Sequence, residues 1–371
     1  MTNGSRLSQT SGILVIRLRE IGDVVFTTPA IRALRRQFPD AHLTYLVEPL
    51  AAEVVSGNPA IDEVLVAPRT GFVADLALGR RLAARGADLA IDFHGGPRAS
   101  LLTWLSRARV RVGYDVPGRG WMYTLKVKRP REWRPRHAVQ NQWDLLTALG
   151  IPLPDPAEFP VEMALSSPAA ATVSDRLARA GVKSTDCLVV VHVSAGNPFR
   201  RWPQQSFAAL VAGLASRDVN ARVIVTAGPS EANAASAILE DARQRLTSPV
   251  RDRVMILGHF SLAELRALLA HAALFIGGDS GPLHIAATSG VPIVGLYGPT
   301  LPVRSQPWRH PNLISEAVEI QGLECRPCDQ RVCTPGDFRC LTRMSPDMVM
   351  QAAERALARS AAAARAIRLG S

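Results

Sequence analysis

A chain of 371 residues is long enough to bury two hydrophobic cores. With 47% hydrophobic and 20% charged residues it has the make-up of a folded globular protein, and no run of about 18 uncharged apolar residues offers a spanning helix. The net charge of +11 asks for an acidic partner: nucleic acid, an anionic membrane surface or an acidic substrate. Nucleic acid is the weakest of the three, because the chain has no basic repeat with interleaved aromatics and no helix-turn-helix pattern.

Residues 1–12 read as a flexible polar leader without a signal-peptide core, so a cytoplasmic chain is the expectation. Ile13–Leu18 is an apolar strand. Apolar residues at Val24, Ile31, Leu34 and Phe38 then give one face of a helix, which puts Asp23 at or near its N-cap. Strands at 42–47, 63–66, 88–93 and 109–112 alternate with helices at 49–56, 73–85 and up to 107. Such alternation predicts a doubly wound parallel sheet. His94, Gly95, Gly96 and Arg98 follow a strand's carboxyl end, where ligands bind in such sheets. No G-x-G-x-x-G follows the first strand, which argues against a dinucleotide site there.

The run 121–137 carries six Lys or Arg against one Glu, Arg129 and Arg134 among them, beside Trp121 and Trp133. It reads either as a solvated loop or as a clamp for a carboxylate or phosphate, which Arg grips in bidentate fashion. A helix follows over 138–149. Five prolines within 151–169 mark a domain boundary, and a helix over 170–180 follows it.

The second half opens on the buried strand 187–193. The loop from Ser194 to Pro203 combines small residues with Arg200 and Arg201, so a backbone approach to an anionic ligand is open there. After a helix over 204–216 and a strand at 222–227, Ser230 is the candidate cap of the next helix. Ser261 with Glu264 forms a capping box. The stretch 274–300 is the centre of the chain. It reads as a strand ending at Gly277-Gly278, a turn through Asp279, Ser280, Gly281 and Pro282, a short helix over 283–288 and a second buried strand over 291–296. The first turn of that helix is suited to a phosphate.

The run from Gly277 to Thr300 closely resembles the donor-site signature of the family 9 glycosyltransferases, the bacterial heptosyltransferases. The segment from Gly22-Asp23 to Pro29-Ala30 resembles the same family's N-terminal signature. The likeness extends over residues 13–350. It implies an α/β fold of the GT-B type, two Rossmann-like doubly wound domains facing across a cleft. Residues 13–160 would form the acceptor domain, 170–345 the nucleotide-sugar domain, and 346–371 a final helix crossing back to the first. The resemblance implies donor contacts from Ser194, Gly196, Arg200, Glu231, Asp279, Ser280, Gly281 and His284, with Arg200 standing where the family pattern has Lys. It makes Asp23 the general base of an inverting transfer, for which the capping role is the plainer alternative. It places acceptor contacts at His94 and Arg98, with Arg129 and Arg134 in the basic run. The implied reaction moves a heptose from ADP-heptose to the lipopolysaccharide inner core or a related lipid-linked glycan, at a transient anionic membrane surface on the cytoplasmic side. The alternatives are a same-family transferase with another nucleotide sugar, a nucleotide-sugar epimerase and a non-catalytic glycan-binding protein.

No cofactor is required by this chemistry. Cys325, Cys328, Cys333 and Cys340 fall in one window, and structural zinc, reduced thiols and disulfides all fit their spacing. A cytosolic chain favours the first two.

Overall fold

The computed structural model describes residues 10–67, 71–129 and 135–370, with side chains described up to residue 363. It divides into two compact units between Ala164 and Leu165, within the proline-rich segment. Among the described residues, no helix is long and apolar enough to cross a membrane.

The first unit is built on β1 (Gly12–Ile16), β2 (His42–Val47), β3 (Glu63–Val66), β4 (Leu89–Asp92), β5 (Val110–Tyr114) and β6 (Leu125–Val127), in the order β3-β2-β1-β4-β5-β6. All pairings are parallel. β1 is buried from Ile13 to Ile16, which is why it reads as an unbroken apolar run: helices cover both faces of such a sheet. β6, which the sequence pattern did not reveal, is a three-residue edge strand inside the basic run. Exposed Lys126 at its centre is a common way to protect an edge.

The helix expected after β1 is two helices, Ile21–Val25 and Thr28–Gln37. Pro29 cannot donate a hydrogen bond back to the Val25 carbonyl. The hydroxyls of Thr27 and Thr28 donate to the carbonyls of Val24 and Val25 instead, at 2.7 and 2.8 Å. Glu20, not Asp23, holds the N-cap position, and Asp23 sits in the first turn.

The second unit repeats the plan with β7 (Cys187–His192), β8 (Ala221–Thr226), β9 (Val254–Met255), β10 (Leu274–Gly278), β11 (Ile293–Tyr297) and β12 (Ser315–Glu319), in the order β12-β11-β10-β7-β8-β9. Its pairings are again parallel. Gly277 and Gly278 are the last two residues of β10. Their register with His192 on one side and with Gly295 and Leu296 on the other keeps them extended. A side chain on Gly278 would bring a Cβ to 3.3 Å from the Arg200 carbonyl oxygen, so glycine lets that loop lie against the strand. Ser230 does not cap the helix Ala232–Gln244; Pro229–Glu231 form a 3-10 turn and Glu231 takes the cap position. The capping box of the helix Leu262–His271 is present, with the Ser261 hydroxyl accepting from the Glu264 amide at 3.3 Å and the Glu264 carboxylate accepting from the Ser261 amide at 2.9 Å. The final helix, Pro346–Gly370, was expected to cross back to the first domain. Its buried stripe, Val349, Ala352, Ala353 and Ala356, packs into the core of the second unit.

Candidate active-site residues

In each sheet the connections leave the central pair of strands in opposite directions. The crevice beyond the carboxyl ends of such a pair is where open α/β sheets bind ligands. In the first unit that pair is β1 and β4, and in the second β7 and β10. Most of the residues singled out in the sequence fall at these two ends.

At the first, Arg17 leaves β1 almost buried. It donates Nη1 to the Phe93 carbonyl at 2.6 Å, bridging the two strand ends, and Nη2 forms an ion pair with the Asp23 carboxylate. Asp23 remains partly open to solvent, with 39% of its side chain exposed. A carboxylate held by one cation and still reachable is suited to take a proton from a bound hydroxyl. Arg17 was not found from the sequence, where it looks like one more arginine at the end of a strand.

Asp92, also missed, is fully buried at the end of β4. It accepts from the amides of His94 and Gly95, both at 2.8 Å, and from the Tyr123 hydroxyl at 2.6 Å. Burial pushes its pKa up against these bonds. The result is a fixed turn that presents His94, with Gly95 at a φ of +69° where glycine is favoured. The His94 ring is hydrogen-bonded to the Arg19 backbone and lies within electrostatic reach of both Arg17 and Asp23. Burial first, and then the Arg17 cation, push its pKa down, so the neutral imidazole is favoured.

Arg98, expected at the acceptor, is committed inside the unit. It pairs with Asp75 at 2.8 Å and Glu48 at 3.1 Å, two buried carboxylates that would be costly without a cation. Two further arginines lie near this strand end, Arg129 exposed and Arg119 partly buried. Arg129 lies over the Tyr114 ring at 3.9 Å, and Arg119 donates to the Gly95 carbonyl at 3.4 Å. Arg134 lies outside the described residues.

At the second strand pair, Asp279 is the buried hub. Its carboxylate accepts from the Thr300 hydroxyl at 2.5 Å, lies 3.5 Å from His284 Nε2 and lies 3.3 Å from Arg200 Nη1. Burial pushes its pKa up, but His284, Arg200 and Thr300 outweigh it and hold it at about 2. Arg200 ends the 3-10 turn Pro198–Arg200, which Asn197 caps by accepting from the Phe199 amide at 3.0 Å. Its Nη1 donates to the Asp279 carbonyl at 2.9 Å and its Nε to Gln330 at 2.7 Å. Its Nη2 makes no hydrogen bond among the described residues. Ser280 and Gly281 lie at the start of the helix Gly281–Ala287, and the Ser280 hydroxyl is not used as a cap.

Ser194 is buried, its hydroxyl between His192 Nε2 and the Gly228 amide, each at 2.9 Å. It thereby joins the ends of β7 and β8. Gly196 is exposed, with no atom within 4 Å of where a Cβ would stand, so packing within the chain does not demand glycine there. Arg201 pairs with Glu231 at 2.7 Å.

His192 carries a testable consequence. Burial lowers its pKa to about 4. Above pH 6.5 it is neutral folded or unfolded and contributes no pH dependence. Between pH 6.5 and 4 only the unfolded chain takes up the proton, so stability falls as pH falls, by about 3 kcal/mol in all. Urea unfolding of the His192→Gln variant should show a flatter pH profile than wild type across that window.

All five cysteines are free thiols. Cys325, Cys328, Cys333 and Cys340 line one small cavity with Phe199 and Phe338. Among the described residues no group of three or more His, Cys, Asp or Glu side chains is placed to hold a metal ion.

Two six-stranded doubly wound units each carry a charged cluster beyond the carboxyl ends of their central strand pair, where open α/β sheets bind ligands. Residues 76–337 match the family model "Glycosyltransferase family 9 (heptosyltransferase)". The chain is 30% identical to lipopolysaccharide heptosyltransferase 3 of Escherichia coli strain K12 over 78% of its own length and 83% of that protein. Its fold matches the crystal structure of a family 9 glycosyl transferase from Veillonella parvula with a TM-score of 0.81 and 26% identity, covering 94% of this chain and 97% of that one. The Escherichia coli ADP-heptose lps heptosyltransferase II follows, with a TM-score of 0.76, 20% identity and coverage of 94% and 99%. The chain belongs to glycosyltransferase family 9 and is a glycosyltransferase with the GT-B type of fold.

Proposed function

We propose that this glycosyltransferase moves a heptose from ADP-heptose to the inner core of lipopolysaccharide or a related glycan, with inversion at the anomeric carbon. The observation that carries the reading is the constellation at the end of β10. There a buried carboxylate, Asp279, holds Arg200 and His284 beside Ser280, whose hydroxyl donates to the Gly278 carbonyl at 3.3 Å. Relatives named as lipopolysaccharide heptosyltransferases support the sugar and the acceptor class. The donor named for the Escherichia coli enzyme of the same fold supports ADP-heptose.

In this reading the acceptor oxygen attacks the anomeric carbon as Asp23 takes its proton, with Arg17 orienting the carboxylate. The bond from that carbon to the diphosphate oxygen breaks, and ADP leaves with the electron pair. Arg200 Nη2 and the first turn of the helix Gly281–Ala287 stabilise the charge that develops on it. Asp279 and His284 keep that loop in place, and Glu231 with the Ser194–Gly196 loop faces the nucleoside. Arg129 and Arg119 match an acidic glycan on the acceptor side.

A thermal-shift series with ADP, GDP, UDP and CDP at equal concentration tests the donor. ADP at about a hundred times its dissociation constant should stabilise the chain by about 2.7 kcal/mol. Selectivity for another nucleotide would replace the donor.

The net charge of +11, with the exposed pair Trp104 and Trp121 in edge contact at 5.7 Å, supports transient docking of the enzyme on an anionic membrane from the cytoplasmic side. Sedimentation with vesicles should show binding that needs anionic lipid and weakens with added salt; equal binding to neutral vesicles would contradict it.

A further inference from the structure

We infer that Gln330, on the cysteine-bearing loop, is a positioning residue that aims the Arg200 guanidinium at the donor diphosphate, an assignment that rests on the donor reading above. The two residues are 130 positions apart in sequence. The Gln330 side-chain oxygen accepts from Arg200 Nε at 2.7 Å and from Asn197 Nδ2 at 3.0 Å. One atom therefore fixes both the residue that caps the 198–200 turn and the arginine that ends it. On the far side of the guanidinium the Asp279 carbonyl takes Nη1 at 2.9 Å. Held at both ends, the planar fork has one nitrogen left to offer, Nη2, and its direction is set.

Gln330 is itself held. Its backbone has a φ of +61°, in the left-handed region that a side chain such as glutamine enters at a cost, and its amide donates to Cys328 Sγ at 3.3 Å. Phe338, farther along the same segment, meets Phe199 of the turn with ring centroids 5.4 Å apart. Arg326, before the loop's first turn, donates to the Thr300 carbonyl at 2.6 Å, and the Thr300 hydroxyl donates to Asp279. Thus one segment braces both partners of the Arg200–Asp279 pair from behind. An arginine held loosely would lose rotamer freedom on binding diphosphate; this one has already lost it.

The test is a double-mutant cycle read by calorimetric titration of the wild-type chain, Gln330→Ala, Arg200→Ala and the double variant with ADP. Gln330→Ala should weaken ADP about tenfold, the scale of one lost hydrogen bond to a charged group. In the Arg200→Ala background the same change should have no effect, because its route of action is gone. Gln330→Glu, which keeps an acceptor at the same place, should recover part of the loss. In steady state the change should fall on the KM for the sugar nucleotide and leave the KM for the acceptor alone. An equal loss in both backgrounds would mean a merely structural role and overturn the assignment, as would ADP binding that Arg200→Ala weakens and Gln330→Ala does not. If ADP and the other three nucleoside diphosphates all fail to bind wild type, the donor reading falls first and this assignment with it. Should Gln330→Ala fold poorly, Asn197→Ala removes the second donor to the same oxygen and is expected to loosen the turn in the same direction.

Discussion

Replacing Asp23 with Asn should lower kcat by about 10²–10⁴-fold while leaving ADP affinity within a factor of two or so, the range expected when a general base alone is removed. Asp23 is partly exposed and has one strong partner, Arg17, so the substitution removes a proton acceptor and an ion pair without opening a cavity. Stability should change little, since Asn keeps a side-chain oxygen that can accept from Arg17, which also retains the Phe93 carbonyl. Arg17→Lys is the companion variant. It keeps the charge but cannot hold both the Phe93 carbonyl and Asp23 in the same fork, and kcat should fall with Asp23 still present. Unchanged kcat in Asp23→Asn would return Asp23 to a local structural role in its helix.

Asp279→Ala should be the most damaging single change in the second unit. It leaves Arg200, His284 and Thr300 facing a hole where a buried carboxylate had paired with all three. Breaking a buried pair from one side costs about 3–5 kcal/mol. ADP should raise the melting temperature far less, because Arg200, His284 and Thr300 lose the carboxylate that joins them at this loop. Asp279→Asn separates the two effects: it retains shape and one acceptor, so most stability should return while ADP affinity stays low. Differential scanning fluorimetry with and without ADP reads both.

The sequence made the strands of both sheet centres legible because parallel strands covered on both faces carry continuous apolar runs, as Cys187–His192 does. Among the edge strands Glu63–Val66 was legible and two others were not. Leu125–Val127 and Ser315–Glu319 are short, alternate with charge and look like loop. The split of the helix at Pro29 depended on two threonine hydroxyls taking over backbone carbonyls, a side-chain detail that a hydrophobic pattern does not register.

Of the candidate residues, those within the two signature stretches could be named from the sequence, Asp23, Asp279, Ser280, Gly281 and His284. Their partners could not. Arg17 bonds to Phe93 across 76 positions, and Gln330 reaches Arg200 across 130. The partners of Arg98 were equally out of reach, because the two buried acids it pairs with, Glu48 and Asp75, lie on other elements.

The most direct measurement is product identification. The purified chain is incubated with ADP-heptose and lipopolysaccharide from a strain whose inner core lacks the heptose to be added, and the glycan is analysed by mass spectrometry with ADP release followed in parallel. The expected result is an acceptor heavier by one heptose residue, ADP formed in step with it, and neither product from Asp23→Asn on the same time scale. ADP-heptose left intact in the presence of that acceptor, or a heavier acceptor obtained equally well from Asp23→Asn, would contradict it.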